Sequence, residues 1–257
     1  MTPVTPVTLL ARAKLTVTLR ITGVRADGYH LIDAEMVTLA LADELTFAPA
    51  GGPNGDPHGG SRLTVGGPYG EGVPTDDRNL VHRALTAVGR RAAVHVDKRI
   101  PAGGGLGGGS ADAAAVLRWA GCTDVALAAR LGADVPFCLA AVGRAAVRGI
   151  GEVVDPLPFE PRAFTLVLPP FGVSTPAVYR AWDDLGGPRS DGPNDLEPAA
   201  LAAEPRLAAW RDRIADAAGV APVLAGSGST WFVAGSHPHL AAALAPAAVV
   251  VTRTDRP

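Results

Sequence analysis

Lysine is nearly missing from this chain of 257 residues: of its 23 basic residues only Lys14 and Lys98 are lysine, and the rest are arginine. Arginine presents a planar fork and lysine a compact point charge, so these two positions are candidates for sites where a point charge is required. Cysteine is as sparse. Cys122 and Cys138 stand alone in apolar surroundings with no C-x-x-C pair, which points to buried thiols and to neither a disulfide framework nor a zinc site. His237 and His239 flank a proline on a loop with no further ligand nearby, so they read as solvent-exposed histidines and no metal-ligand set is expected. The net charge is −2, which leaves no basic field for nucleic acid. No apolar run approaches the ~20 residues of a membrane span, and the N-terminus lacks a basic-then-apolar leader. The expectation is a cytoplasmic protein with a small-molecule partner, no nucleic acid, no membrane and an open oligomeric state.

What is abundant is glycine, and six of them fall in Pro101–Asp112, P-A-G-G-G-L-G-G-G-S-A-D. Successive N–H groups freed of side chains can converge on an anion. Ser110 stands where an N-cap belongs and Ala111–Ala120 reads as a helix stopped by Gly121, so the loop empties into a helix N-terminus, which favours phosphate. A flexible linker would be polar on both sides. A Walker A loop would place Lys before the Ser, and Gly109 stands there; the protein-kinase reading lacks H-R-D and D-F-G. A dinucleotide-binding reading stays open, because Gly103, Gly105 and Gly108 fit G-x-G-x-x-G with Asp124 downstream for a ribose.

The length allows two modest cores, and the chain divides into lobes at 1–154 and 155–257. Thr8–Thr22 alternates as a strand carrying Lys14, and Asp27-Gly28 is a hairpin turn presenting Tyr29 and His30. An aromatic ring and an imidazole beside a tight turn suit a planar heterocycle, though a strand-edge aromatic and a solvated histidine would look the same. Met36–Phe47 looks like a strand pair, residues 48–73 like loop and strand edges, and Asn79–Arg90 like a helix begun near Asp76 or Asp77. Val94–Ile100 feeds the glycine loop and brings Lys98 near it, where nucleotide phosphates would attract it. Asp134 falls at a helix start, where it is either a cap or a catalytic base. The second lobe, with Thr175 and Tyr179 on a helix and a Gly226–Ser229 turn between strands, is α+β with antiparallel strands.

Taken together, P-A-G-G-G-L-G-G-G-S-A at 101–111, A-K-L-T at 13–16, R-A-D-G-Y-H at 25–30, L-G-A-D-V-P-F at 131–137 and G-S-G-S at 226–229 resemble the GHMP small-molecule kinases. They resemble in particular the branch that acts on cytidine-diphosphate methylerythritol in the non-mevalonate isoprenoid pathway. That resemblance implies a two-lobed α+β fold and transfer of a phosphoryl group from ATP. It implies Lys14 and Asp134 as catalytic residues; Thr16, Tyr29, His30, Thr175 and Tyr179 as substrate contacts, with Tyr29 and His30 at the cytosine and Tyr179 as the opposing stacking face; and Pro101, Ala102, Gly103, Gly104, Gly105, Leu106, Gly107, Gly108, Gly109, Ser110 and Ala111 around ATP, where the alternation of the preceding strand already places Lys98. Mg2+ follows from the chemistry of phosphoryl transfer. Thr16 departs from the family, which has Asn two residues after the lysine, and a hydroxyl cannot donate and accept from separate heavy atoms as an amide does.

Overall fold

The computed structural model describes residues 5–50 and 61–257; part of the Gly/Pro-rich 51–74 region therefore lies outside the described residues. The chain begins with β1 (Val7–Val24) and β2 (His30–Pro49), joined by the expected turn with Gly28 at positive φ. Next come β3 (Arg62–Gly66), α1 (Leu80–Ala87), β4 (Ala92–Asp97), α2 (Gly108–Trp119), α3 (Val125–Leu131), α4 (Val135–Ala140), β5 (Arg144–Gly149) and β6 (Val153–Pro156). The second half runs β7 (Ala163–Leu168), α5 (Thr175–Asp184), α6 (Glu197–Ala203), α7 (Arg206–Ala218), β8 (Val223–Leu224), β9 (Trp231–Ala234), α8 (Leu240–Ala243) and β10 (Ala248–Arg253). The class is α+β.

The first sheet has the order β3-β4-β2-β5-β6, with β1 also paired to β2. Where a strand pair was expected at Met36–Phe47, β2 is one continuous strand with two different neighbours. Ile32–Val37 pairs with β5 and Glu44–Pro49 with β4, while β1 runs beside both. β3 lies inside the stretch read as loop and strand edges; its five residues between glycine-rich flanks pair in parallel with β4. β6 hydrogen-bonds to β5 in this sheet, so a lobe boundary placed after Pro156 keeps the sheet whole, whereas 154/155 cuts through β6.

The second sheet is antiparallel, in the order β10-β7-β9-β8. Alternation along β7 decides how it packs. Phe164, Leu166 and Leu168 join Ala13 and Leu15 of β1, Val37 and Leu39 of β2 and Leu106 of the glycine loop. Val167 faces the other way, with Trp231 and Val233 of β9, onto Val178 of α5 and Leu207, Trp210 and Ile214 of α7. The two sheets thus share a core that the glycine loop enters through Leu106. A third cluster holds α1 and α2 against β2 and β4.

Two caps differ from expectation. α1 is capped by Asn79, whose side-chain oxygen accepts from Val81 N at 2.9 Å, while Asp76 is taken up by Arg78. Asp124 caps α3 through Leu127 N at 3.0 Å, which occupies the carboxylate that a dinucleotide reading assigns to a ribose. Among the described residues no helix is long and apolar enough to cross a membrane.

Candidate active site

The glycine loop is shaped by positive φ at Gly103, Gly105 and Gly107 (73°, 74° and 68°). The helix begins at Gly108 with Gly107 as N-cap, so Ser110 sits in the first turn and is not the cap expected of it. The reason is room. A Cβ on Gly107 would lie 2.8 Å from Lys14 Cγ, so the position that turns the chain into α2 tolerates no capping side chain. The loop lines a cavity of about 340 Å³ together with Lys98, Ile100, Asp112 and the residues Val73, Pro74, Arg78, Asn79 and Leu80. The first-turn N–H groups of Gly108, Gly109 and Ser110 have no intrahelical acceptor and carry the positive end of the helix dipole. Ala111 differs from expectation: its side chain is buried in the core and its N–H is bonded to Gly107 O at 2.8 Å, so it does not line this cavity.

Lys14 lies between register shifts of β1, at Arg12/Lys14 and Thr16/Thr18; such irregularities re-aim side chains. Its side chain is 6% exposed, and its ammonium lies 3.2 Å from Asp134 Oδ2 and donates to Thr16 Oγ1 at 3.2 Å. Asp134 occupies the N-cap position of α4 but makes no capping hydrogen bond. Its carboxylate is committed to Lys14 and to the space around it, which removes the cap reading. Lys14, Thr16, Asp134, Thr175, Tyr179, Gly226 and Ser227 line a second cavity of about 150 Å³. Gly105 lines both cavities, so the glycine loop is their common wall. Thr16 holds the lysine by accepting through its hydroxyl oxygen.

Thr175 Oγ1 and Ser227 Oγ are 2.8 Å apart on one side of the second cavity. Burial, with the charge of Asp134 adding to it, pushes the Tyr179 phenol up to about 12. Tyr29 and His30 part company. Tyr29 is 58% exposed at the hairpin with the Arg25 guanidinium 5.7 Å from its ring centroid, whereas the His30 ring packs 4.7 Å from Tyr179 and bonds Asp183 through Nε2 at 2.8 Å. The face of Tyr179 is therefore met by His30, not by Tyr29.

Lys98 also departs from expectation. Its ammonium is buried beneath Gly108 and paired with both Asp43 and Asp112, the latter at 2.8 Å. Burial drives a lysine down, but the two carboxylates outweigh it and hold Lys98 above its ordinary value. Asp43 also accepts from the N–H groups of Arg99 and Ile100 at 2.6 and 2.7 Å. This triad ties β2 and the end of β4 to α2, and spends on carboxylates the charge expected to reach phosphates.

The model of the GHMP kinases N terminal domain matches residues 79–141, which hold the glycine loop and Asp134. A protein of Paracoccus denitrificans named 4-diphosphocytidyl-2-C-methyl-D-erythritol kinase is 38% identical over 241 residues, spanning 86% of this chain and 84% of the relative. One of the same name from Dinoroseobacter shibae is 39% identical over 253 residues, 88% and 85% of the two chains. The chain belongs to the 4-diphosphocytidyl-2-C-methyl-D-erythritol kinase family of GHMP kinases. A crystal structure of a 4-(cytidine 5'-diphospho)-2C-methyl-D-erythritol kinase agrees, with a TM-score of 0.72 and 31% identity over 97% of this chain and 100% of that one. A homoserine kinase from Cytophaga hutchinsonii, at 0.56 and 17% identity over 96% and 95%, shares the fold.

As a GHMP kinase the chain is an ATP-dependent small-molecule kinase, and the dinucleotide reading is set aside. Residues the sequence did not single out also shape this kinase's site. Asn194, buried, donates to Leu224 O and Gly226 O at 2.9 and 2.7 Å and so braces the turn behind Lys14; its only trace in the sequence was Asn-Asp at a helix start. In this kinase fold a Cβ on Gly107 would press on Lys14 itself, 2.8 Å from its Cγ. We expect Gly107→Ala to lower kcat/KM on the order of 10²-fold, because a Cβ there displaces the lysine and positioning errors near 1 Å cost that much. Steady-state kinetics beside a melting curve checks it; a variant that melts as wild type with unchanged kcat/KM would contradict the placement.

Proposed function

We propose that this chain transfers the γ-phosphoryl group of ATP to the 2-hydroxyl of 4-diphosphocytidyl-2-C-methyl-D-erythritol, in the non-mevalonate route to isoprenoid precursors. The observation that carries the reading is the Lys14–Asp134 pair, 3.2 Å apart where the glycine-loop cavity and the smaller cavity share a wall. The names of the relatives supply the alcohol.

The substrate hydroxyl lies in the smaller cavity and attacks the γ-phosphorus. Asp134 takes its proton as the new P–O bond forms, and the bond from the γ-phosphorus to the bridging oxygen breaks to release ADP. Lys14 orients Asp134 and faces the developing alkoxide with its charge, in a site dry enough to make that charge effective. Thr16 keeps the lysine in place, and Thr175 and Tyr179 bound the alcohol. The first-turn N–H groups of α2 hold the phosphates of ATP.

Mg2+ keeps several waters and binds largely through substrate phosphates, which fits a loop cavity whose protein oxygens include the Ser110 hydroxyl; when bound it would neutralise charge on the transferring phosphates. ADP release from Mg2+ and ATP with the cytidine compound, homoserine and mevalonate in parallel tests the assignment. Turnover with the cytidine compound alone is the expected result; turnover with another alcohol would discard the substrate and keep the kinase.

A further inference from the structure

His30 opens β2 and sends its imidazole across to α5, where three residues on one helical face meet it. The ring centroid lies 4.7 Å from that of Tyr179, tilted, and 5.2 Å from that of Trp182, edge-on. Trp182 is itself held by its Nε1 donating to Pro188 O at 2.9 Å. At the ring edge Nε2 lies 2.8 Å from Asp183 Oδ1, and the histidine side chain is only 7% exposed. Nδ1 makes no hydrogen bond among the described residues.

A carboxylate has only lone pairs to offer, so the nitrogen that faces it carries the proton. In the neutral ring the lone pair then falls on Nδ1, which becomes an acceptor. The Asp183 carboxylate makes no hydrogen bond within its own helix among the described residues. It sits in the last turn of α5, next to Asp184, where the macrodipole disfavours negative charge. Its geometry has a purpose outside the helix, and that purpose is the histidine.

We infer that Asp183 is a positioning residue that fixes the His30 tautomer and thereby sets a preference for cytosine over uracil. The inference rests on the cytidine-diphosphate substrate proposed above. Cytosine carries an exocyclic amine, a donor, where uracil carries a carbonyl, an acceptor. An accepting Nδ1 pairs with the first and is left facing a lone pair by the second, and a site left unpaired in this way discriminates strongly. Tyr179, against the same imidazole, lines the cavity that holds Lys14 and Asp134, so His30 packs one ring away from that cavity.

The test uses the full chain, with CDP and UDP as competitive inhibitors of turnover. Wild type should bind CDP more tightly than UDP. Asp183→Ala should weaken CDP by roughly tenfold, the loss of one charge-assisted orienting bond, and leave UDP, the KM for ATP and the melting temperature unchanged. Two-bond nitrogen-15 spectra of the histidine rings give the second readout: Nε2–H for His30 in wild type and a mixture of tautomers in Asp183→Ala. A CDP:UDP ratio indifferent to Asp183, or an Nδ1–H tautomer in wild type, overturns the inference and leaves the substrate standing. A wild type that does not turn over the cytidine compound overturns both; one that turns it over but that CDP does not inhibit overturns this inference alone.

Discussion

Asp134→Asn is expected to reduce kcat by about 10²–10⁴-fold, the usual cost of losing a general base, while ATP binds as tightly as before. The asparagine is isosteric and keeps an oxygen toward Lys14, so the pair's geometry survives and only the proton acceptor is lost. Asp134 makes no capping bond to α4 and the amide oxygen still accepts from the buried Lys14, so the melting temperature should fall by no more than a few degrees. The measurement is single-turnover phosphoryl transfer with saturating ATP and alcohol, beside the ATP dissociation constant. A rate within about threefold of wild type would show that Asp134 takes no proton, since general-base losses are far larger. A fall in ATP affinity with a matching fall in melting temperature would give it a structural role.

The largest effect on stability is expected from Lys98→Met. It leaves Asp43, fully buried, and Asp112, 4% exposed, without the cation that holds them together. Breaking a buried pair by removing one partner costs about 3–5 kcal/mol, which for a chain of this size lowers the melting temperature by roughly 10 °C. The loss should depend on pH. Burial, reinforced by Asp43 and only partly countered by Lys98, already holds the Asp112 carboxyl above its ordinary range. An acid whose value is raised in the folded state gains stability as it takes up its proton, so the deficit of Lys98→Met should shrink from pH 8 toward about pH 5. Adding Asp112→Asn should recover part of it at pH 8, because one uncompensated charge goes. Thermal melts of the single and double variants decide the matter; a deficit that is constant with pH would mean that the lysine stem, and not its charge, supports the loop.

The scarcity of lysine was an informative signal, and its two instances behave alike: both ammonium groups are buried and paired with carboxylates. What the sequence could not show was the partner. Asp43 sits in β2 between Ala42 and Glu44 with nothing local to mark it, and it meets Lys98 only because β2 and β4 pair there. Asp134 looked equally like a cap, since the choice depends on a lysine far upstream on β1. The glycine loop was legible from its residues, but the helix start was misplaced because the sequence marks a cap with a hydroxyl, and here the approach of Lys14 to Gly107 excludes one. β3 was hidden by its glycine-rich flanks, and Asp183 by being one of two acids at a helix end.

Gly105 has a consequence for engineering. A Cβ there would come 2.6 Å from Ala225 O and 2.9 Å from Gly228 O, so the glycine loop of the first lobe and the 225–228 turn of the second touch backbone to backbone. The two segments form a matched seam. A chimera that grafts a foreign second lobe onto this first lobe keeps the path of the glycine loop only when its turn is equally bare and follows the same course; otherwise a graft confined to the second lobe reshapes the loop of the first.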